Sequence, residues 1–367
     1  MSRSLILQKT EGKPGQVYYP LQLKTVSKPV PTEGQLLIRI HAAALNHRDY
    51  FIRRHLYPAI AFDHPMLADG CGTVVGTGPS PSARAQGLLG QRVVLTPMRG
   101  WDAAPEGPER PEAWTIVGSA RGSPVGMAAD YAVVGEDEVE PAPPHLSAAE
   151  AAALPLVGLT AWRALVTKSG NAAGGRNVLI TGIGGGVALA ALQFAVAMGV
   201  NVLVSSGSQD KIDRAVRMGA QGGVNYREEG WEKKLPALLP ADRPYLDAVI
   251  DGAGGDVVGK TVKYMKSGAV IAQYGMTVGP KMDWLMSANL RNIELKGSTM
   301  GSRKEFAEMV AFVREKGIKP VISGVAKGLD NLQEIDGLFT EMKEGRQFGK
   351  LVIEISAEGE TESGAKL

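Results

Sequence analysis

A glycine-rich turn is the strongest chemical signal in the sequence, because an apolar strand pattern precedes it and an apolar helix pattern follows it. It reads Thr181-Gly182-Ile183-Gly184-Gly185-Gly186-Val187-Ala188. Glycines let the backbone approach a pyrophosphate closely, and the N-terminus of the following helix favours negative charge. The turn predicts a dinucleotide site in which Gly182, Gly184, Gly185, Gly186 and Val187 bind the cofactor. The alternative interpretation is a tight turn without a ligand.

The end of the next predicted strand indicates which dinucleotide binds. An NAD enzyme places Asp or Glu about 20 residues after the glycine turn to hold the ribose 2′-hydroxyl. Here the strand ends in Ser205-Ser206-Gly207-Ser208, and Lys211 and Arg214 follow on a predicted helix. Hydroxyls such as those of Ser206 and Ser208, together with cations, suit a 2′-phosphate and favour NADPH. Asp210 argues against this, and we interpret it as the N-cap of that helix.

Composition and charge limit the partners of the chain. The 367 residues are 44% hydrophobic and 21% charged, which is typical of a soluble globular protein. Forty Lys and Arg against 38 Asp and Glu leave a net charge of +2 without a dense basic run, so we expect no nucleic acid or membrane partner. The single cysteine, Cys71, excludes an intramolecular disulfide and fits a reducing compartment, which favours the cytoplasm.

The last three residues, Ala365-Lys366-Leu367, are a variant of the S-K-L tripeptide that directs import into peroxisomes. They follow a polar, acidic segment, and we expect residues 356–367 to form a disordered tail. The alternative to a peroxisomal signal is a chance ending.

The elements that must position these residues follow two patterns. The first ~140 residues carry short β-rich segments, at 36–45, 72–78, 91–96 and 129–135, and a Pro-rich loop at 98–127. Ser147 begins an Ala-rich helix, with Glu150 completing a capping box. From Asn177 strands alternate with helices, which predicts a doubly wound parallel sheet in an α/β fold. Two helices and a closing strand follow residue 302.

These motifs, taken in order, resemble the medium-chain dehydrogenase/reductase superfamily over residues 15–355. The landmarks are AALNHRD (43–49), GTVVGTG (72–78), ALPLVGLTAWRAL (153–165), GIGGGVA (182–188), NYREE (225–229), DAVIDGAGG (247–255), ELKGSTMGSR (294–303) and GRQFGKLVIEI (345–355). The resemblance implies a GroES-like β-rich catalytic domain at 1–142 and 302–367, and a Rossmann NADPH-binding domain at 143–301. It also implies a substrate cleft between the domains, and a homodimer joined near residues 293–298.

The zinc ligands of the family's alcohol dehydrogenases are replaced in this sequence. The matching positions hold Asn46, the pair Ala68-Asp69 and Leu156, and the cysteine-free loop 98–127 stands where those enzymes carry a four-cysteine lobe. A zinc site needs three or four nitrogen, sulfur or oxygen ligands, and Asp69 alone cannot supply one. We therefore expect no metal.

Asn46 and Asp49, as L-N-x-x-D, instead resemble the zinc-free quinone oxidoreductases and enoyl reductases. In those proteins the Asn lies near the nicotinamide, which makes Asn46 a candidate catalytic residue. The same resemblance places Lys211 and Tyr226 at the NADPH 2′-phosphate. It also places Thr160 and Lys350 near the nicotinamide and the cofactor cleft.

Without a Lewis acid, a conjugated acceptor is easier to reduce than a simple ketone, because its charge delocalises into an enolate or phenolate. Tyr57 resembles the proton donor of the enoyl reductases, but the equivalent tyrosine of quinone reductases only lines the pocket. The predicted function is NADPH-dependent hydride transfer to a small-molecule quinone or α,β-unsaturated carbonyl. The alternatives are a trans-acting enoyl reductase of a biosynthetic pathway and a non-catalytic NADPH-binding protein.

Overall fold

The computed structural model describes residues 1–357. The predicted import tripeptide, Ala365-Lys366-Leu367, and all but the first two residues of the predicted tail lie outside the described residues. Within the described part of the chain, no helix is long and apolar enough to cross a membrane.

Strands and helices alternate with long irregular segments. The strands are β1 (Ser2–Leu7), β2 (Leu21–Val26), β3 (Gln35–Ala44), β4 (Asp69–Thr77), β5 (Arg92–Leu95), β6 (Met98–Arg99), β7 (Thr115–Ile116), β8 (Tyr131–Gly135), β9 (Val139–Pro141), β10 (Asn177–Ile180), β11 (Asn201–Ser206), β12 (Gly222–Asn225), β13 (Leu246–Asp251), β14 (Met265–Gln273), β15 (Glu294–Gly297), β16 (Ile322–Lys327) and β17 (Lys350–Glu354). The α-helices are α1 (His47–Arg53), α2 (Ala83–Leu88), α3 (Ala148–Ala152), α4 (Pro155–Trp162), α5 (Gly186–Ala197), α6 (Gln209–Arg217), α7 (Val257–Thr261), α8 (Met286–Asn289), α9 (Arg303–Lys316) and α10 (Leu332–Lys343). A π-helical segment covers Arg163–Lys168, and 3₁₀ helices cover Trp231–Leu238 and Val262–Tyr264.

The chain divides into two compact units. Unit 1 comprises Met1–Leu156 together with the chain from Ser302 onward, and unit 2 comprises Val157–Gly301. The sequence-based boundaries were 142/143 and 301/302, so the first division lies 14 residues further along the chain than the one drawn from the sequence.

Unit 1 is built around a mixed sheet in the order β16-β17-β3-β4-β5-β9, with β8 also paired to β3. The core face of β3 carries Leu36, Ile38 and Ile40, all fully buried. β4 pairs with β3 so closely at this point that a Cβ on Gly72 would lie 2.2 Å from the carbonyl oxygen of Arg39. Only glycine fits there, which explains one glycine of the GTVVGTG segment.

Unit 2 contains a parallel sheet in the order β12-β11-β10-β13-β14-β15. Its central strands are buried on both faces, as the near-continuous apolar runs in β10 and β13 predict. The strand order reverses between β10 and β13, and in such sheets ligands bind at the carboxyl ends of the strands beside the reversal. The predicted doubly wound parallel α/β architecture is confirmed.

The predicted Ala-rich helix is interrupted. The capping box of Ser147 and Glu150 is present, but α3 ends at Ala152 and α4 begins only at Pro155. Proline lacks a backbone N–H and disfavours helical geometry in the residue before it, so it separates the two helices. The Pro-rich segment 98–127 is mostly irregular, as predicted, apart from the short pair β6 and β7.

Candidate functional site

Sheet register brings three polar residues of unit 1 to one corner. β3 lies between β17 and β4, and Ala44 faces both Val352 and Asp69 across the two pairings. Asn46 follows the end of β3, Asp69 begins β4 and Lys350 begins β17. Asn46 and Lys350, 304 positions apart in the chain, are therefore neighbours because of strand pairing alone.

Hydrogen bonds join these three side chains into one buried cluster. The Lys350 ammonium donates to Asn46 Oδ1 at 2.6 Å and to Asp69 Oδ2 at 2.8 Å. The Asn46 amide donates to the same Asp69 oxygen at 2.9 Å, and the backbone N–H of Leu156 donates to Asp69 Oδ1 at 2.8 Å. Asn46, Asp69 and Lys350 are 5%, 0% and 4% exposed, so the pair of charges is shielded from water.

A second buried carboxylate, that of Asp49, is hydrogen-bonded to the backbone of this cluster. Asn46 is the N-cap of α1, and its backbone N–H donates to Asp49 Oδ2 at 2.8 Å. Burial raises the pKa of Asp49 to about 6, although Arg48, the Asn46 N–H and Lys350 act in the opposite direction. Arg48 donates to Asp49 at 3.2 Å and also to the carbonyl oxygens of Val117 and Gly118.

Tyr57 lies in a constrained segment of unit 1. The residues two positions before and after it, His55 and Ala59, both have φ of 54°, a left-handed conformation that is costly for non-glycine residues. Such strain persists only where surrounding structure holds it, and it occurs most often at functional sites. The Arg48 guanidinium lies 5.0 Å from the centre of the Tyr57 ring, and so links Tyr57 to the Asp49 carboxylate.

The glycine turn of unit 2 follows β10 and leads into α5. Gly182 and Gly184 have φ of 68° and 115°, and Gly185 is the N-cap of α5. The Ile183 N–H donates to the Ser205 carbonyl oxygen at 2.8 Å, which ties the turn to β11. The first helical hydrogen bond is the one from Leu189 to Gly185. The N–H groups of Gly186 and Val187 therefore precede the helical ladder, where an anion binds most readily.

Ser206 ends β11 and Ser208 follows it, and the two side chains have different contacts. The Ser206 side chain is buried, donates to the Ile183 carbonyl oxygen at 3.2 Å and accepts the Ser208 N–H. It stabilises the glycine turn. Ser208, and not Asp210, is the N-cap of α6, so the interpretation of Asp210 was wrong. Asp210 lies in the exposed first turn, where a negative charge is favourable.

Two basic side chains and a phenol lie over the glycines of this region. A Cβ on Gly184 would lie 2.8 Å from Lys211 Cδ and 3.3 Å from its ammonium nitrogen. A Cβ on Gly207 would lie 2.8 Å from the Tyr226 hydroxyl oxygen and 2.8 Å from Arg227 Nε. The structure thus brings Tyr226 to the end of β11. It also brings Arg227 there, a residue of the NYREE segment that was not predicted to bind the cofactor.

The remaining predicted residues divide between the units. Thr160 lies in α4 of unit 2, is buried and donates to the sulfur of Met300 at 3.8 Å. Lys350 belongs to unit 1, and its ammonium bonds are those to Asn46 and Asp69. From the sequence, Asp69 could be assigned only as an insufficient zinc ligand. Nothing in a single sequence pairs it with a lysine 281 positions away.

Two family models match the chain. One, described as the alcohol dehydrogenase GroES-like domain, covers residues 32–144, and the other, described as zinc-binding dehydrogenase, covers residues 186–315. A zinc-type alcohol dehydrogenase-like protein, YogA, of Leptosphaeria maculans is 56% identical over 97% of this chain and 100% of its own. The chain belongs to the medium-chain dehydrogenase/reductase superfamily. The resemblance found in the sequence and the predicted fold class, GroES-like plus Rossmann, are confirmed.

More distant members of the superfamily carry different activities in their names. The quinone oxidoreductase of Mus musculus is 26% identical over 80% of this chain and 82% of its own. A solved structure of an NAD-dependent alcohol dehydrogenase is 30% identical, with a TM-score of 0.81, and covers 96% of this chain and 100% of its own. The chain is therefore an oxidoreductase of a superfamily that binds nicotinamide cofactors.

The residues present do not fit the zinc that one family model names. Among residues 1–357, no group of three or more His, Cys, Asp or Glu side chains is placed to hold a metal ion. At the positions where the zinc enzymes have ligands, Asn46 and Asp69 are bonded to the Lys350 ammonium, and Leu156 contributes a backbone N–H. A cation bonded to both oxygens would repel a second cation, and the donors fall short of a zinc set.

Proposed function

We propose that this protein is an NADPH-dependent, zinc-independent reductase that transfers hydride to a conjugated acceptor, a quinone or an α,β-unsaturated carbonyl. The observation that carries the proposal is the ammonium of Lys350, hydrogen-bonded to Asn46 and Asp69. This arrangement leaves the site without a Lewis acid for the oxygen of a simple ketone. The name of the mouse relative, quinone oxidoreductase, supports the same class of acceptor.

Conjugation of the acceptor delocalises the negative charge that would otherwise develop on one oxygen, so no metal is needed to stabilise it. The chemistry that bound NADPH supplies is a hydride, and on an enone its target is the β-carbon. The electron pair of the C=C bond then moves into an enolate, and a quinone would give a phenolate in the same way. Asn46 is the proposed positioning amide, and the Tyr57 hydroxyl is the proposed donor of the proton that completes the reduction.

The cations of unit 2 support NADPH over NADH. Lys211 lies against Gly184, and Arg227 and the Tyr226 hydroxyl lie against Gly207, at the end of β11. In this fold the ribose of the adenosine half lies beside the end of that strand. A 2′-phosphate would receive charge-assisted hydrogen bonds from both cations, whereas a bare ribose would gain little from them. We propose that Gly182, Gly184, Gly185, Gly186 and Val187 hold the pyrophosphate.

The roles of Ser206, Ser208 and Thr160 are narrower in this proposal. Ser206 supports the cofactor site through the glycine turn, because its hydroxyl is bonded to Ile183 and to Ser208. Ser208, at the N-terminus of α6, is the hydroxyl that remains as a 2′-phosphate ligand. Thr160 is a proposed nicotinamide contact.

We further propose a homodimer and the cytoplasm as the compartment. β15 lies at the edge of the sheet of unit 2. Leu295 belongs to this strand and Leu290 precedes it, and they are 42% and 78% exposed. Edge strands have unpaired backbone groups, and exposed apolar residues beside them favour pairing with a second copy. The single cysteine, buried in β4, suits a reducing compartment.

The test of the activity is the rate of NADPH and NADH oxidation, followed at 340 nm, with quinones, cyclic enones, 2-alkenals, a crotonyl thioester and simple ketones. We expect turnover of conjugated acceptors with NADPH, and a reduced kcat in Tyr57→Phe with the affinity for NADPH unchanged. A preference for the thioester would indicate the enoyl reductase alternative. Tight NADPH binding without turnover of any acceptor would favour the non-catalytic alternative, and turnover of simple ketones alone would overturn the proposal.

A further inference from the structure

We propose that Lys350 and Asp69 are positioning residues which, as a buried ion pair, hold the amide of Asn46 in one orientation. In this protein, the resident cation at the positions of the family's zinc ligands is an ammonium of the chain itself. The inference rests on the proposed function, because the positioned amide acts in hydride transfer. It also reassigns Lys350, which the family resemblance placed among the cofactor ligands.

Donor and acceptor chemistry fixes the orientation of the amide. An ammonium can only donate and a carboxylate can only accept. Asn46 therefore must turn its oxygen toward Lys350 at 2.6 Å and its nitrogen toward Asp69 at 2.9 Å. The reverse orientation would place two donors against each other and two acceptors against each other. One N–H of the amide remains for a ligand.

The ion pair is itself held by the backbone. Leu156 N–H bonds the second oxygen of Asp69, and Asp69 and Lys350 begin two strands that flank β3. The three partners of the Asp69 carboxylate lie in β17 (Lys350), in α4 (Leu156) and at the N-cap of α1 (Asn46). Positions on strands locate a site more precisely than positions on loops.

Burial makes the two charges depend on each other. Lys350 and Asp69 are 4% and 0% exposed, and breaking a buried pair by removing one partner leaves an uncompensated charge. Loss of the Lys350 ammonium would therefore leave the Asp69 carboxylate buried without its counter-charge, and would also disturb the hydrogen bond that Asn46 donates to Asp69. A vacated ammonium position between Asn46 Oδ1 and Asp69 Oδ2 should accept a small alkylammonium ion.

The decisive experiment is chemical rescue of Lys350→Ala. We expect kcat for a conjugated acceptor to fall about a hundredfold, as misplacement of a reacting group by about 1 Å can do, while the KM for NADPH changes little. Methylammonium chloride should restore kcat saturably, and sodium chloride at the same ionic strength should not. Lys350→Arg should retain more activity than Lys350→Met. Loss of NADPH affinity in place of kcat, without rescue, would overturn the proposal in favour of a cofactor ligand.

A matched control and a readout independent of turnover complete the test. Lys319→Ala removes a surface lysine of the same unit, 3.8 Å from Glu150, and should change neither kcat nor its response to methylammonium. In protein labelled with ¹⁵N at asparagine, Asp69→Asn and Lys350→Met should both shift the Asn46 side-chain amide resonances. Wild-type protein without turnover would refute the proposed function alone, whereas unshifted amide resonances would refute the positioning pair.

Discussion

Asp49 is the ionisable residue whose folded-state pKa gives the clearest prediction. Its pKa of about 6 lies above the ordinary value of 3.8 because it is completely buried. Between those values the folded chain binds a proton that the unfolded chain has released, so the contribution of Asp49 to stability is fully present below about pH 4 and is lost as pH rises through about 6. A difference of about two between the folded and unfolded pKa values corresponds to about 3 kcal/mol.

Asp49→Asn should remove this dependence, since its amide does not titrate. The stability of the variant relative to wild type, measured as the free energy of unfolding by urea, should therefore rise by up to about 3 kcal/mol between about pH 4 and about pH 7.5. A difference between variant and wild type that is the same at both pH values would contradict the raised pKa.

The cations at the end of β11 predict cofactor selectivity. Lys211→Ala and Arg227→Ala should each lower kcat/KM for NADPH roughly ten- to hundredfold, because a hydrogen bond to a charged group contributes about 1.5–3 kcal/mol. The value for NADH should stay the same. Lys234→Ala, which removes a lysine paired with Glu228 in the same unit, is the control. An equal loss with both cofactors would mean that these residues support the fold and not the 2′-phosphate.

Residues within one motif could be predicted from sequence, whereas residues that act across strands could not. The glycine turn and the Asn46–Asp49 pair lie in single segments with fixed spacing. The structure places the turn between β10 and α5, and Asn46 at the N-cap of α1 with Asp49 in its first turn. The partnership of Asp69 with Lys350 depends on which strands flank β3, which a single sequence does not specify. Asp210 was misassigned as the N-cap because α6 begins two residues earlier than predicted, with Ser208 as its N-cap.

At the scale of elements, one exposed carboxylate stabilises a turn in the segment 98–127. Glu109 accepts the backbone N–H groups of Asp102, Ala103 and Ala104, which lower its pKa to about 2. Asp102 also accepts a hydrogen bond from Arg303, the first residue of α9. The segment is therefore attached to α9 although it contains little regular structure.

Glu109→Ala should loosen the turn at residues 102–104, because the Glu109 carboxylate accepts their backbone N–H groups. We expect faster hydrogen exchange at residues 102–104, measured by mass spectrometry near neutral pH, and unchanged exchange in Glu112→Ala. Because the folded-state pKa of Glu109 is lowered, the wild-type protection should be present above about pH 4.5 and be lost as pH falls toward about 2. Equal protection in Glu109→Ala and wild type would show that other contacts hold the segment.

Element prediction succeeded where hydrophobic periodicity was strong and failed where elements were short. The strands and helices that alternate from β10 to β13, and the helices α9 and α10 after residue 302, are present as predicted. The pair β1 and β2 and the seven-residue helix α1 were missed. β2 has a mostly exposed surface and α1 is too short to show a helical period, so neither produces a distinct pattern.

At the scale of the whole molecule, two exposed leucines at the edge strand β15, Leu290 and Leu295, predict the oligomeric state. Leu290→Asp with Leu295→Lys should convert a homodimer into a monomer, because two charges would have to be buried against the second copy. Val30→Asp alters a residue of unit 1 that is 81% exposed, and it should leave the dimer intact. Sedimentation velocity distinguishes the two states, and a monomeric wild-type protein would contradict the proposed dimer.

The central claim is reduction of a conjugated acceptor without zinc, and a matched pair of substrates tests it most directly. Protein dialysed against a chelator, and shown by elemental analysis to lack zinc, would be assayed with NADPH against cyclohex-2-enone and cyclohexanone. The two differ only in the double bond that delocalises the charge. We predict turnover of the enone alone, at the rate of undialysed protein. Activity on cyclohexanone that disappears with the metal and returns with added zinc would contradict the account.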